Sequence, residues 1–355
     1  MKKLKRIIVW TMIPIVMELA GLLLVDKFYF GGDANFSIKK VDTTSKQTAN
    51  KISVKIPEDA KMVKVSYSGN YISYYDGQSL QVIDTLKNSK KEIDLKNDLS
   101  YYTWNLDTDY ILIAEKTSGG LESKNLKFET YDAKRDSTYS LKNEEKKQEL
   151  SILLPDDSYD VEHIAFSGAS GVTYVSSATN GEGSSRIYRI DRMIKMNLVN
   201  FVTCQLGNIA VINGTNGDEL IYEDRTSNRI RTSRGGIIAT GENAMHYLLN
   251  TDNNDNIYIG NGEDNKVNKI FVANLKTNKN SWKIYTLPNS INKNDIYVTM
   301  SGNIYINDSK NSQVKDITTG KVTKYSGNFV SVYKYGVISK DDNKLTNSLF
   351  QLDLK

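Results

Sequence analysis

His163 and His246 are the only imidazoles in 355 residues, and they bound the nucleophilic or metal chemistry open to this chain. A hydrolytic triad needs a nucleophile beside a positioned base, and no Gly-x-Ser-x-Gly elbow occurs in the sequence. His163 in VEHIAFS and His246 in AMHYLLN both read as strand residues. If the two strands line one central channel, the pair could act as a metal or acid–base couple. Zinc–nitrogen bonds of about 2 Å then require the rings within roughly 10 Å of each other. The plainer reading is two unrelated strand histidines. Asp252, Asn254, Asn256 and Glu263 in DNNDNIYIGNGE match oxygen-ligand positions of a calcium loop. Ile257, however, stands where the sharp turn needs glycine, and its alternation with Ile259 is that of a strand. Gly181 and Gly183 in SSATNGEGSSR lack the Gly-Lys-Ser/Thr and following helix of a phosphate cradle, so they read as a hairpin loop. Tyr101, Tyr102 and Trp104, or Trp282 and Tyr285, offer platforms for stacking sugars, against the commoner role of packing between sheets. No motif calls for a cofactor, and no catalytic or metal-ligand set is legible.

Composition narrows the classes further. Hydrophobic content is 39%, Tyr is abundant at 22 and Pro scarce at 4, a balance that favours many short strands with polar turns over disorder. The net charge of +4 comes from Lys2, Lys3, Lys5 and Arg6, and the remainder is neutral. A nucleic-acid binder needs a basic footprint on its folded part, so nucleic acid is not an expected partner. Cys204 is the only cysteine, which excludes an intrachain disulfide and reads as a small buried residue in VTCQL.

The amino terminus has the pattern of an anchor. Ile7 to Val25 is an apolar run of 19 residues interrupted by Pro14 and Glu18. As a helix it would be about 28 Å long, close to the hydrocarbon thickness of a bilayer. Basic residues precede it, and Phe28, Tyr29 and Phe30 follow as an interfacial aromatic group. The positive-inside rule therefore places residues 1–6 in the cytoplasm, a transmembrane helix at 7–25 and everything beyond on the extracytoplasmic side. The run continues through AGLLLV into DKFYF without a small-residue cleavage site, which favours an uncleaved anchor over a signal peptide. Glu18 falls near mid-bilayer, where a carboxylate is costly and often faces a partner helix; the alternative is a protonated, merely tolerated residue. Residues 26–50 are mostly small or polar and have the composition of a stalk.

From residue 51 to 355 one phrase recurs: apolar strand, proline or polar loop, apolar strand, tight turn, apolar strand. The clearest copies begin at Lys51, Glu149 and Trp282. A turn followed by a second strand is read seven times: SGNYISYY, TDYILIAE, SGVTYVSS, LGNIAVIN, NDNIYIGN, SGNIYIND and YGVISKDD. Their markers are spaced 40, 62, 36, 48, 47 and 33 residues apart, around the length of a four-stranded propeller blade. The long interval contains the charged excursion KNEEKKQE, read as a solvated loop. Pro57, Pro155 and Pro288 each sit at the end of an apolar strand, where a missing N–H is tolerated. NTDNNDNIYIGNGEDNKVNKIFVANL (250–275) resembles the D-x-x-G-N-[IL]-[WY]-[IV] repeats of two-component-regulator, NHL and WD-type propellers, with Asp255 where glycine is usual. SGNIYIND and LGNIAVING keep the Gly-Asn pair.

The expectation is an all-β, seven-bladed β-propeller, with six or eight blades as alternatives, preceded by one transmembrane helix. Residues 52–56 have no blade of their own, and 328–355 supply only three strands. Strand 52–56 is therefore expected to become the fourth strand of the last blade and close the ring against 348–354. The expected function is a membrane-anchored extracytoplasmic binding or scaffold module for a partner protein or cell-envelope polymer. The alternatives are an envelope polysaccharide lyase or hydrolase, and a sensor that signals through the Glu18 helix.

Overall fold

A computed structural model describes residues 12–22, 51–117, 124–143, 145–179, 185–199, 204–214 and 217–350. The chain divides into two units, Met1–Thr48 and Ala49–Lys355. In the first, residues 12–22 are helical, and Met12, Ile13, Val16, Met17 and Leu22 are exposed. Among the described residues no helix is long and apolar enough to cross a membrane; the rest of 7–25, like the stalk, lies outside them.

The second unit is a seven-bladed propeller of antiparallel sheets. The inner strands, in chain order, are Lys61–Val65, Asp98–Trp104, Tyr159–Phe166, Leu206–Gly214, Met245–Thr251, Ile296–Val298 and Asn328–Tyr333. Each begins a meander that runs outward by hairpins, with exceptions at the outer edges of blades 2 and 7. Hydrophobic clusters fill the spaces between successive blades. Leu80, Val82 and Ile93 of blade 1, for example, meet Tyr102, Trp104, Ile111 and Tyr131 of blade 2.

Ring closure occurs through the expected strand. Ser53–Lys55 pairs antiparallel with Lys344–Leu349 of blade 7, in the register Ser53↔Thr346, Val54↔Leu345, Lys55↔Lys344. The Ile52 N–H donates to Asn347 Oδ1 and the Ile56 N–H to the Asn343 carbonyl, both at 2.8 Å. Strict alternation buries Ile52, Val54 and Ile56 against Ile72, Tyr74 and Ile83 of blade 1 and Tyr333, Ile338 and Leu345 of blade 7. At about 1.5–3 kcal/mol per buried aliphatic side chain, these contacts favour the closed ring over an open edge.

Four local expectations need correction. The third strand of blade 7 is KLTNSL (Lys344–Leu349), not SLFQLDLK, because Gly336–Asp341 returns through a tight turn at Asp342, which has φ of 49°. The closing contact therefore falls on Lys344–Thr346; residues 351–355 lie outside the described residues. LGNIAVING is the inner strand of blade 4 rather than a second strand. Its Gly207 lies in a bulge, whereas Gly69, Gly171 and Gly302 sit in turns with φ of 74°, 65° and 83°. Asp255, in the glycine place of the repeat, takes the same left-handed conformation with φ of 61°. Pro288 lies inside the outer strand Lys283–Asn292, at a register break between Thr286 and Ile291 on the sheet edge, where no ladder bond is asked of it. The charged excursion interrupts the outer strand of blade 2. Ser137–Ser140 and Ser151–Leu153 pair end to end with Asn125–Asp132, and this split accounts for the long repeat interval.

Candidate central-channel site

The inner strands carry the groups that face the centre, and bulges aim them. Register breaks occur at Lys61/Lys64, Leu99/Tyr101, Val161/His163, Leu206/Ile209, Leu248/Asn250 and Phe329/Ser331. A bulge shifts side-chain direction and strengthens local twist. The side chains at these breaks bridge to the next inner strand: Lys64 Nζ donates to the Tyr102 carbonyl at 2.6 Å, Asn208 Nδ2 to Leu248 O at 2.9 Å, and Asn250 Nδ2 to Val298 O at 2.8 Å. Ser100 Oγ donates to Asp160 Oδ1 at 3.0 Å and accepts the Val161 N–H at 2.9 Å. These side chains satisfy inner-strand groups that neighbouring blades cannot reach through backbone ladders.

Where the inner strands end, a cavity of about 420 Å³ opens, with walls from blades 1, 2, 5, 6 and 7. Tyr67, Trp104, Tyr297 and Tyr333 supply its aromatic surface, and Lys64 and Lys334 its charge. Lys334 Nζ lies 5.3 Å and 4.9 Å from the ring centroids of Tyr67 and Tyr335, within cation–π range. Burial lowers the Lys64 ammonium to a pKa of about 8 and raises the Tyr297 phenol to about 12.

His163 lies on the inner strand of blade 3 and is partly buried. Desolvation, followed by the charges of Arg225, Lys64 and Lys293, brings its pKa down to about 4. His246 lies on the inner strand of blade 5 but turns toward blade 4. Its Nε2 is 2.8 Å from Thr240 Oγ1, and its Nδ1 is 3.1 Å from the Asn228 carbonyl. A carbonyl only accepts, so Nδ1 carries the proton and Nε2 accepts from Thr240. Asn261 Nδ2 then donates to Thr240 Oγ1 at 3.0 Å. The two histidines are thus engaged by different residues, and both His246 nitrogens are committed. Among the described residues there is no group of three or more His, Cys, Asp or Glu able to hold a metal.

Several other sequence candidates resolve as turn or packing residues, and Gly181 and Gly183 lie outside the described residues. Asp252 accepts from Asn254 N, Asn256 N and Tyr258 OH in a turn. Glu263 stands at the far end of the strand Ile257–Glu263, about 20 Å away at 3.3 Å per residue, so one cation cannot bridge them. Trp104 donates to Ser73 Oγ at 2.8 Å and stacks on Tyr71, while Tyr102 donates to the Met62 carbonyl and is fully buried. Cys204 is a buried free thiol, and desolvation pushes its pKa up to about 12. Glu18 is exposed on the 12–22 helix. Sequence reasoning missed Lys64, Arg225 and Lys293, which come from three different blades. The one available signal was a lysine in an inner strand between valines, MVKV.

The fold and this channel define the class: a seven-bladed β-propeller whose inner strands present polar and aromatic groups to a central opening. No family model matches the chain, and no curated protein matches it. Among solved structures it is similar to an oligogalacturonate lyase from Vibrio parahaemolyticus, at 8% identity and TM-score 0.53, covering 84% of this chain and 91% of that one. It is also similar to the β-propeller domain of Cps50 (Swd1) from Myceliophteria thermophila, at 11% identity and TM-score 0.52, covering 84% and 100%. At these identities the likeness establishes the fold alone.

Proposed function

We propose that this chain is a membrane-anchored, extracytoplasmic binding propeller that holds a cell-envelope polymer or a partner protein at the mouth of its central channel. The observation that carries this reading is the aromatic and cationic cavity at the ends of the inner strands, walled by five blades and rimmed by Tyr67 and Lys334. Loops and strand ends on a rigid ring suit display of contacts. Anchoring rests on the 7–25 apolar run and the exposed apolar side chains of helix 12–22; Glu18 is the residue proposed to meet a neighbouring helix. A second reading draws on Lys64, whose pKa near 8 gives it a neutral fraction able to take a proton in a polysaccharide lyase.

The experiment uses the full chain in detergent micelles, titrated with purified envelope polymers by calorimetry. Tyr67→Ala with Lys334→Ala is expected to weaken binding at least tenfold, the scale of a lost aromatic and cation–π contact. Unchanged affinity in that variant, or release of unsaturated sugar products on mixing, counts against the display reading. Carbonate-resistant association with membranes, lost when residues 1–25 are removed, checks the anchor.

A further inference from the structure

The cavity at the ends of the inner strands carries charge of one sign. Lys64 and Lys334 stand in its wall, and none of its lining residues is Asp or Glu. Lys64 belongs to the inner strand of blade 1, and Lys334 follows directly on the inner strand Asn328–Tyr333 of blade 7. Ring closure makes those two blades neighbours. Elsewhere on the blades lysines are matched with acids: Lys96 with Glu129, Lys116 with Asp160, Lys269 with Glu242 and Lys276 with Asp255. The two cavity lysines are not; among the described residues no ion pair engages either one. Their partners are ring faces and a backbone carbonyl. Lys64 Nζ lies 4.1 Å from the Tyr101 ring centroid and donates to the Tyr102 carbonyl at 2.6 Å. Lys334 Nζ lies 5.3 Å from the centroid of Tyr67 and 4.9 Å from that of Tyr335. Half-buried Tyr67 and Tyr297 leave part of their rings open in the same wall.

We propose that this cavity takes an acidic sugar unit of the polymer proposed above, its carboxylate or phosphate ester against Lys64 and Lys334 and its ring against Tyr67 and Tyr297. The polymer rests on that proposed function; the preference for an acidic unit rests on the cavity wall. A cation removed from bulk water costs free energy unless a counter-charge or hydrogen bonds replace its hydration. For Lys64 a ring face and one carbonyl replace it in part. An ammonium has three protons to donate, and two of them remain for a ligand. Two like charges in one cleft disfavour each other, and low-dielectric walls concentrate their field on an entering anion. A sugar ring in turn presents an apolar face that suits a phenol ring, whose edge stays wet. The volume of about 420 Å³ falls within the roughly 300–1,000 Å³ usual for small-molecule sites.

The test titrates the full chain in detergent by calorimetry with glucuronate, glucose 6-phosphate, glucose and inorganic phosphate. One or both sugar acids are expected to bind saturably, with glucose and inorganic phosphate at least about tenfold weaker. The tighter of the two acids assigns the carboxylate or the phosphate ester. Lys64→Met is expected to weaken the sugar acid at least about tenfold. Lys334→Gln, at an exposed position, is the second variant should the first not fold. Absence of saturation by about 50 mM, well above a millimolar site, overturns the proposal. So does glucose that binds as tightly as the acids, since the charge would then decide nothing. Inorganic phosphate of equal affinity overturns it too, because the ring would then have no part. Unchanged affinity in both variants does the same. A neutral envelope polymer held through Tyr67, and indifferent to Lys64→Met and Lys334→Gln, keeps the display function and defeats the acidic preference. Lysine-dependent binding of a sugar acid without binding of any envelope polymer does the reverse.

Discussion

His163 shows how much one residue owes to its surroundings. In the strand VEHIAFS nothing distinguishes it from a solvated imidazole with the ordinary pKa of about 6.5. Burial and three cations from other blades bring it to about 4 in the folded protein. Between these values the unfolded chain binds more protons than the native one, so stability rises with pH across that window. The contribution is fully present above about 6.5 and is lost as pH falls through about 4. His163→Gln removes this dependence. Denaturant titrations from pH 6.5 down to 4 are expected to show wild type losing roughly 1–3 kcal/mol more than the variant. Equal losses would mean that the imidazole stays hydrated in the channel. Asp255 shows a different limit. Its departure from glycine is visible in the repeat, but its purpose is not. The side chain accepts from Asn213 N at 2.8 Å and pairs with Lys276 Nζ at 2.7 Å, tying blade 4 to blade 5 while the backbone keeps the glycine-like turn.

At the scale of elements, the closing strand carries the most consequence for its length. Val54 is 1% exposed, between blade 7 and blade 1, whereas Ser53 on the same strand is exposed. Val54→Asp would bury an unpaired carboxylate and is expected to cost about 3 kcal/mol or more. Ser53→Asp, facing outward, is expected to stay within about 0.5 kcal/mol of wild type. Equal midpoints for the two variants would show that the strand is not needed to hold the ring. Strand existence was readable from alternation and turn residues. Strand order within blade 4 was not, because Gly-Asn appears both in a hairpin turn and in the Gly207–Asn208 bulge, and the two letters do not say which. Likewise Pro288 marks an edge in either reading, and only the Lys266–Ala273 partner strand shows that the chain continues past it.

For the whole molecule, the blades form one unit, Ala49–Lys355, closed on itself by the pairing of Ser53–Lys55 with Lys344–Thr346. A fragment beginning at residue 49 is therefore expected to melt within about 2 °C of the full chain in the same detergent, followed by circular dichroism. A fragment beginning at residue 58, which lacks the closing strand, is expected to melt at least about 5 °C lower. A shorter gap between the two fragments would mean that blade 7 holds with three strands.

The sequence by itself determined the repeat, a count of seven with six or eight left open, the need for a strand from the front to complete the last blade, and a polar body behind an apolar amino-terminal run. These follow from local periodicity, turn chemistry and chain arithmetic. The tertiary structure alone decided which side chains share the channel. Lys64, Tyr297 and Lys334 are far apart in sequence yet line one cavity, and His163 and His246 occupy the same kind of strand yet face different neighbours. The physical reason is that bulges and closure set side-chain direction around the ring, and a strand's own pattern records which face is apolar but not which blade it will meet.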